Sequence, residues 1–305
     1  MRAQPGLLPK YAYYFLKSVR LEDRGYGRHF ALLRRVSVPV PSLSEQYKVV
    51  DLLEGYLSHL DAAERSLEFA RQRVDRLVLA HLSCQVRWLS DTSAPVAAIG
   101  DVAHTNLGKM LDAKRSGGEL TPYLGNINVR WGTFDLGDLK QVHLTLEERN
   151  RFSLDRGDVL VCEGGEPGRC AVWHLQRSEI AYQKALHRVR VQDPRAVSPH
   201  FFALMLREAI QSGRSDSLFT GTTIKHLPQE KLRRIRLPIP SLDVQSRLVA
   251  EADRIAEAVN ELRRSLADAT RLSAALHRSV LAAAFSGKLT GRHTDQAVIE
   301  ELANV

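Results

Sequence analysis

Cysteine is scarce: Cys84, Cys162 and Cys170 are the only three in 305 residues. Three thiols cannot build a disulfide framework, and their spacing matches no zinc pattern, so a thiol-reduced setting is expected. Long apolar runs are missing as well. No window approaches the roughly 18 apolar residues of a membrane span. Arg2, Pro5 and Pro9 flank only a short apolar stretch, so a secretory leader is not expected and a cytoplasmic protein is. Enzyme signatures are absent. There is no Gly-x-x-x-x-Gly-Lys-Ser/Thr loop, no Gly-x-Gly-x-x-Gly after a strand and no His-Glu-x-x-His. The methyltransferase motif Asn/Asp-Pro-Pro-Tyr/Phe is missing too. A non-catalytic chain is expected. What remains is foldable: 44% hydrophobic and 26% charged residues exclude global disorder, and the length suggests about two domains.

The net charge of +8 is unevenly spread. Residues 1–41 carry +6, 42–93 carry −2, 94–241 carry +5 and 242–305 carry −1. Two segments hold all the positive excess, which points to a polyanionic partner for them. The other two are almost neutral.

An internal repeat organises the chain. The run from Arg34 to Gln46, RRVSVPVPSLSEQ, returns 199 residues later from Arg233 to Gln245 as RRIRLPIPSLDVQ. Two Arg, two Pro, Ser, Leu and Gln recur, with Val/Ile swaps beside them. The alternating apolar residues predict a last strand, and Pro-x-Pro ends it because proline cannot continue a ladder. Ser42 and Ser241, or Ser44 and Asp243, are candidate N-caps for a helix after each copy.

Both following segments show a heptad seam. In the second, the seam positions are Leu248, Ile255, Leu262, Ala269, Leu276 and Ala283, with Ala252, Val259, Leu266, Ser273 and Val280. The 199-residue shift turns these into Val49, Tyr56, Ala63, Ala70, Leu77 and Cys84, with Leu53, Leu60, Leu67, Val74 and His81. A helix of about 40 residues would be roughly 60 Å long. The small residues on the seam predict close helix approach. Equal seams at equal distances predict a spacer joining two related globular units; the plainer reading is a coiled coil with no further role.

Upstream of the repeats the chain is asymmetric. Residues 94–241 are long enough for a domain, whereas 1–41 are too few to bury an independent core. The match still reaches back from Pro199–Leu206 to Pro9–Leu16, each a short helix with proline near its start. Residues 1–41 are therefore expected to be the C-terminal remnant of a first, truncated domain.

This arrangement resembles the specificity subunit of type I restriction–modification enzymes. The resemblance rests on the repeated Pro-x-Pro-Ser-Leu-x-x-Gln with its helix. It also rests on Tyr123–Gly132, on Gly157–Arg169, and on Gly221–Leu227 before the final strand. It implies an α+β fold: mixed, mostly β target-recognition domains with two long antiparallel helices forming a coiled-coil spacer. The organisation it implies here is a first-domain remnant at 1–41, a first conserved helix at 42–90 and a second recognition domain at 91–241. A second conserved helix follows at 242–288, with a tail at 289–305. It implies double-stranded DNA, modification (methyltransferase) subunits and a restriction or motor subunit as partners, with self-association through the helices an open possibility. S-adenosylmethionine is expected in the methyltransferase partner, with no cofactor held directly. A truncated coiled-coil adaptor that binds modification subunits without reading DNA is the alternative, and an inactive partner that sequesters them is a third reading.

Reading bases calls for planar amides and guanidinium groups, supported by phosphate-binding donors. Strand-like segments at Ile99–Val102, Tyr123–Leu124, Gly132–Leu136, Asp158–Val161 and Ala185–Val191 frame the candidates. Tyr123, Asn126, Asn128, Arg130 and Trp131 form one group; a turn amide and a surface charge are the plainer reading of its polar members. Gly165 and Arg169 lie in a glycine-rich loop that could approach phosphate or be a plain hairpin. Tyr182, Gln183 and Lys184 combine stacking, amide and cation. Thr222, Thr223 and Lys225 sit in a polar loop, and Lys109, Lys114 and Arg115 in a basic one. Glu163 and Glu166 near Lys184 could mark a metal nuclease; a salt-bridged loop is the preferred reading. No metal site is expected.

Overall fold

The computed structural model describes residues 5–19, 30–111, 117–176, 179–221 and 225–291. Helix α1 (Pro9–Ser18) and a short α2 (Phe30–Leu33) precede the long α3 (Leu43–Asp91). Then come β1 (Val96–Ala98), α4 (Ile99–Val102), β2 (Ala103–Leu107), β3 (Glu119–Leu124), β4 (Val129–Arg130), β5 (Thr133–Phe134) and β6 (Lys140–Leu144). Helix α5 (Leu146–Phe152) leads to β7 (Val159–Cys162), β8 (Cys170–Val172), β9 (Ala181–Tyr182) and β10 (Leu186–Val191). Helices α6 (Pro199–Gln211) and α7 (Gln229–Arg234), β11 (Arg236–Pro238) and the long α8 (Leu242–Phe285) complete the order. Contacts divide the chain into two units: Met1–Asp75 with Asn260–Val305, and Arg76–Val259. Each long helix therefore belongs partly to either unit.

The second unit is built on an antiparallel sheet of order β2-β10-β7-β8, with a smaller sheet β6-β3-β9 and the hairpin β4–β5. Strand β7 is buried on both faces, which explains its unbroken apolar run. Val159 and Val161 join the core with Phe201, Phe202, Met205 and Leu206 of α6. Leu160 and Cys162 face the other way, into a core with Leu124, Leu144, Trp173 and Tyr182. Arg190 crosses to Asp158 with two bonds of 2.6 and 2.7 Å, the carboxylate being 1% exposed. Glu208 of α6, also buried, takes Ser83 Oγ at 3.1 Å and the Arg214 guanidinium.

Two strand expectations fail. Ile99–Val102 forms a helical turn, because Asp101 reaches back to the Ala98 N–H at 3.2 Å as a cap. The strand before the second Pro-x-Pro exists as β11, paired antiparallel with β1. Before the first Pro-x-Pro, residues 36–40 form no strand. A ladder needs a partner, and the 199-residue shift puts the counterpart of β1 at 295–297, outside the described residues.

The first unit has its own small core. Tyr11 and Phe15 of α1 meet Phe285 edge-to-face at 5.2 and 5.3 Å, above Val49, Val50, Leu53 and Leu57 of α3. The helices run antiparallel: Leu53 packs near Leu281, Glu64 accepts from Ser273 Oγ at 3.0 Å, and Asp75 pairs with Arg263 at 2.9 Å. The second unit continues the antiparallel sense, with Gln85 Nε2 donating to the Leu248 carbonyl at 3.3 Å.

One half of the expected seam is displaced by one residue. Leu53 and Val74 are buried as expected, but Tyr56, Leu77 and Cys84 are exposed, and Leu57, Val78 and Gln85 are buried in their place. A 3.5-residue spacing fits two frames one step apart, and packing selects between them. The selected frame puts Glu64 and Arg71 where Ala63 and Ala70 were expected. The middle of the helix pair is polar as a result, with an open groove of about 530 Å³ lined by Glu64, Leu67, Arg71, Arg263 and Thr270.

Candidate nucleic-acid interface

Five segments separate in sequence meet in the second unit through backbone and side-chain bonds. The turn between β7 and β8 closes with Gly168 N to Cys162 O and Cys162 N to Arg169 O, both 2.8 Å. Gly168 has φ +88°, and a Cβ there would stand 2.7 Å from Ile210, so only glycine fits. Glu163 in this turn donates its N–H to Ala185 O at 2.9 Å and accepts from Leu227 N at 2.7 Å. The turn thus ties the Tyr182–Ala185 segment to the loop ending at Leu227. Asn126 Nδ2 reaches Gly164 O at 3.5 Å. Gly108 lies so close to the Tyr182 and Gln183 backbone that a Cβ would stand 2.3 Å away, and Lys109 N donates to Tyr182 O at 2.8 Å.

Glu166 is the hub of one end of this constellation. It accepts from Trp131 Nε1 at 2.6 Å and from Arg169 at 2.8 Å. Arg169 also donates to Asn126 O at 2.7 Å, and Arg207 stacks over Trp131 at 5.5 Å. The Glu166 carboxylate is held by indole and guanidinium, an ion pair inside the loop made with Arg169 where the sequence suggested Lys184. Gly165 stands exposed beside it with φ +79°.

Asn128 has an internal task. It is 7% exposed, its Oδ1 accepts from Gly125 N at 2.9 Å, and its Nδ2 donates to Asp135 O and Asp138 O. Its amide is committed to shaping the Asn126–Phe134 turn. Arg130 is outward, 3.8 Å from Asp135 with both side chains about half exposed. Ile127 is exposed beside it.

A second concavity of about 570 Å³ lies by Lys109, Lys184, Arg151, Asn106 and Gln229. Lys109 is mostly buried and paired with Glu148. Tyr182 forms the floor: its ring is fully buried, Arg188 lies over it at 5.7 Å, and its hydroxyl is buried with no hydrogen-bond partner among the described residues. Burial pushes that phenol up to about 12. Lys184 is exposed at the rim, and Gln183 is half-buried with its side-chain amide against Gly125. Tyr123 is half-buried on β3, away from this floor in sequence but adjacent to Ala181 in the ladder. Lys225 lies over Phe219 at 5.7 Å. Lys114, Arg115, Thr222 and Thr223 lie outside the described residues.

Sequence reasoning missed Arg151, Arg188, Asn106 and Gln229. None has a motif; Gln229 arrives by bonding Thr105 Oγ1 at 3.0 Å from 124 residues away. It also missed His187, which is buried and joined through Nε2 to Leu227 O at 2.8 Å, holding the end of the 220–226 loop to β10. The buried thiols offer no nucleophile. Desolvation pushes Cys162 up to about 11 and Cys170 up to about 12. Among the described residues no helix is long and apolar enough to cross a membrane.

Comparison with known proteins agrees with this architecture. Residues 95–264 match the family model described as the type I restriction modification DNA specificity domain. The type I restriction enzyme StySPI specificity subunit of Salmonella potsdam is 22% identical over 316 aligned positions, covering 96% of this chain and 68% of that protein. Two solved structures share the fold. One, from work on complex assembly and conformational transition of the type I R-M system, superposes with a TM-score of 0.68 at 16% identity, over 92% of this chain and 71% of the other. The HsdS subunit of Thermoanaerobacter tengcongensis superposes at 0.51 and 17% identity, over 92% and 70%. With more than half of its length matched, the chain belongs to the family of type I restriction modification DNA specificity domains.

Proposed function

We propose that this chain is the DNA-recognition subunit of a type I restriction–modification complex, reading one DNA half-site through residues 91–241. The observation that carries this is the convergence of five segments, tied together through Glu163, Asn126 and Lys109, with Arg130 and Lys184 left exposed on them. Base edges are read by side chains that remain free to point outward, above all Arg130, with Lys184 and Lys225 on phosphate. Asn128, Arg169 and Trp131 hold the loops in place.

The helices α3 and α8 dock modification subunits, which bring methyl transfer and its S-adenosylmethionine; this chain supplies no catalysis. Exposed Tyr56, Phe69, Leu77, Leu262, Leu272 and Leu276 along them support that role. A motor-nuclease subunit joins through the same assembly.

The test is a titration of labelled duplex pools by the full chain with its modification subunit at two ionic strengths. Counterion release predicts affinity falling by orders of magnitude between about 50 and about 200 mM salt. A chain that binds the modification subunit yet gives the assembly no affinity of its own for duplex would instead be the adaptor.

A further inference from the structure

Asp61 and Glu64 of α3 face His277 of α8, with ligand atoms of all three side chains within 4.8 Å of one another. His277 Nε2 lies 3.6 Å from Asp61 Oδ1, and Nδ1 lies 3.5 Å from Glu64 Oε1. Glu64 is held in turn by Ser273 Oγ at 3.0 Å. The imidazole is thus set between two carboxylates, one on each nitrogen.

The repeat offers an internal comparison. The 199-residue shift carries Asp61 to Asn260, Glu64 to Arg263, and Val78 to His277. At the Arg263 position the charge is closed: Arg263 pairs with Asp75 at 2.9 Å and reaches Asn260 at 3.5 Å. At the Glu64 position there are two carboxylates and an imidazole. A neutral imidazole leaves two negative charges there, and a divalent cation balances them. The Asp61 side chain is 55% exposed, which leaves the remaining coordination positions open to water.

We propose that Asp61 and His277 bind a zinc-class divalent cation that clamps α3 to α8, with Glu64 accepting from the other ring nitrogen. Zinc bonded to nitrogen and oxygen at about 2.1 Å has ligand atoms about 3.4 Å apart in a tetrahedron, close to the 3.6 Å between Nε2 and Asp61. A carboxylate on the second nitrogen fixes ring and tautomer, the arrangement that accompanies histidine ligands generally. The imidazole favours zinc, nickel or cobalt over magnesium or calcium. The ion does no chemistry here; it closes the polar middle of the helix pair. This site is independent of the DNA-reading surface.

The test is calorimetric titration of the full chain, stripped of metal, with zinc and with cobalt. A Cys84→Ser background removes the exposed thiol, and circular dichroism checks that each variant keeps its helix content. The expected result is one zinc bound per chain, a zinc-dependent rise in melting temperature, and loss of both in Asp61→Asn and His277→Ala. Glu64→Gln is expected to weaken binding about tenfold. Cobalt is expected to give a visible absorption band that His277→Ala abolishes. No uptake at millimolar metal, or uptake unchanged by Asp61→Asn and His277→Ala, overturns the proposal.

Discussion

Gln46 and Gln245 make the same three hydrogen bonds in the two units. Gln245 accepts from Ser198 N at 2.8 Å and donates to Ala196 O and Pro240 O, both at 2.8 Å. Gln46 accepts from Leu8 N at 2.8 Å and donates to Gly6 O at 2.9 Å and Pro41 O at 2.8 Å. Both side chains are fully buried. Each amide satisfies the start of a proline-led helix, α1 or α6, and pins it to the first turn of a long helix. The conserved spacing of the repeat therefore encodes one clamp used twice. Gln245→Ala leaves three partly buried backbone groups without this partner and is expected to destabilise its unit by about 2 kcal/mol, measured by urea unfolding. Gln46→Ala is expected to release α1, seen as faster amide exchange over 9–18.

Arg190→Ala strands the Asp158 carboxylate, which is 1% exposed. A buried charge without its partner costs about 3–5 kcal/mol. The expected outcome is a large drop in urea midpoint of the second unit. Arg130→Ala, by contrast, is expected to leave that midpoint unchanged, since Arg130 pairs with the exposed Asp135.

The same contrast separates reading from positioning. Arg130→Ala is expected to cost about 1–3 kcal/mol of DNA affinity and to relax base preference at one position. Lys184→Ala and Lys225→Ala are expected to weaken all sequences alike and to reduce the salt slope by about one. Asn128→Ala is expected to lose stability first, because three hydrogen bonds shape its turn.

His187 gives an acid-sensitive fold. Burial holds its imidazole below the ordinary value of 6.5, outweighing the bond to Leu227. The unfolded chain takes up a proton as pH falls through about 6.5 while the folded chain does not. Stability is therefore complete above that pH and lost as pH falls toward the folded value. The urea midpoint of the wild type is expected to fall more steeply from pH 7 to 5 than that of His187→Gln.

The repeat made much of this legible. Seven shared residues marked two equivalent helix starts, and α3, α8, α6 and β11 stand where the pattern put them. The period put Ala63 on the seam and packing puts Glu64 there, because that choice depends on what the opposite helix presents. Asn128 read as a base contact from its type; its commitment to three backbone groups depends on a turn that no local motif announces. Arg151, Asn106 and Gln229 reach one concavity only through long-range folding. The glycines of the β7–β8 turn were visible as a loop, but the need for Gly168 comes from Ile210, 42 residues away.

Selection from a randomised duplex library, with wild type or Arg130→Ala bound to the modification subunit, tests whether residues 91–241 read one half-site. One short enriched motif is expected with wild type, and the same motif with one position relaxed in Arg130→Ala. Retained duplexes with no enriched motif would contradict it.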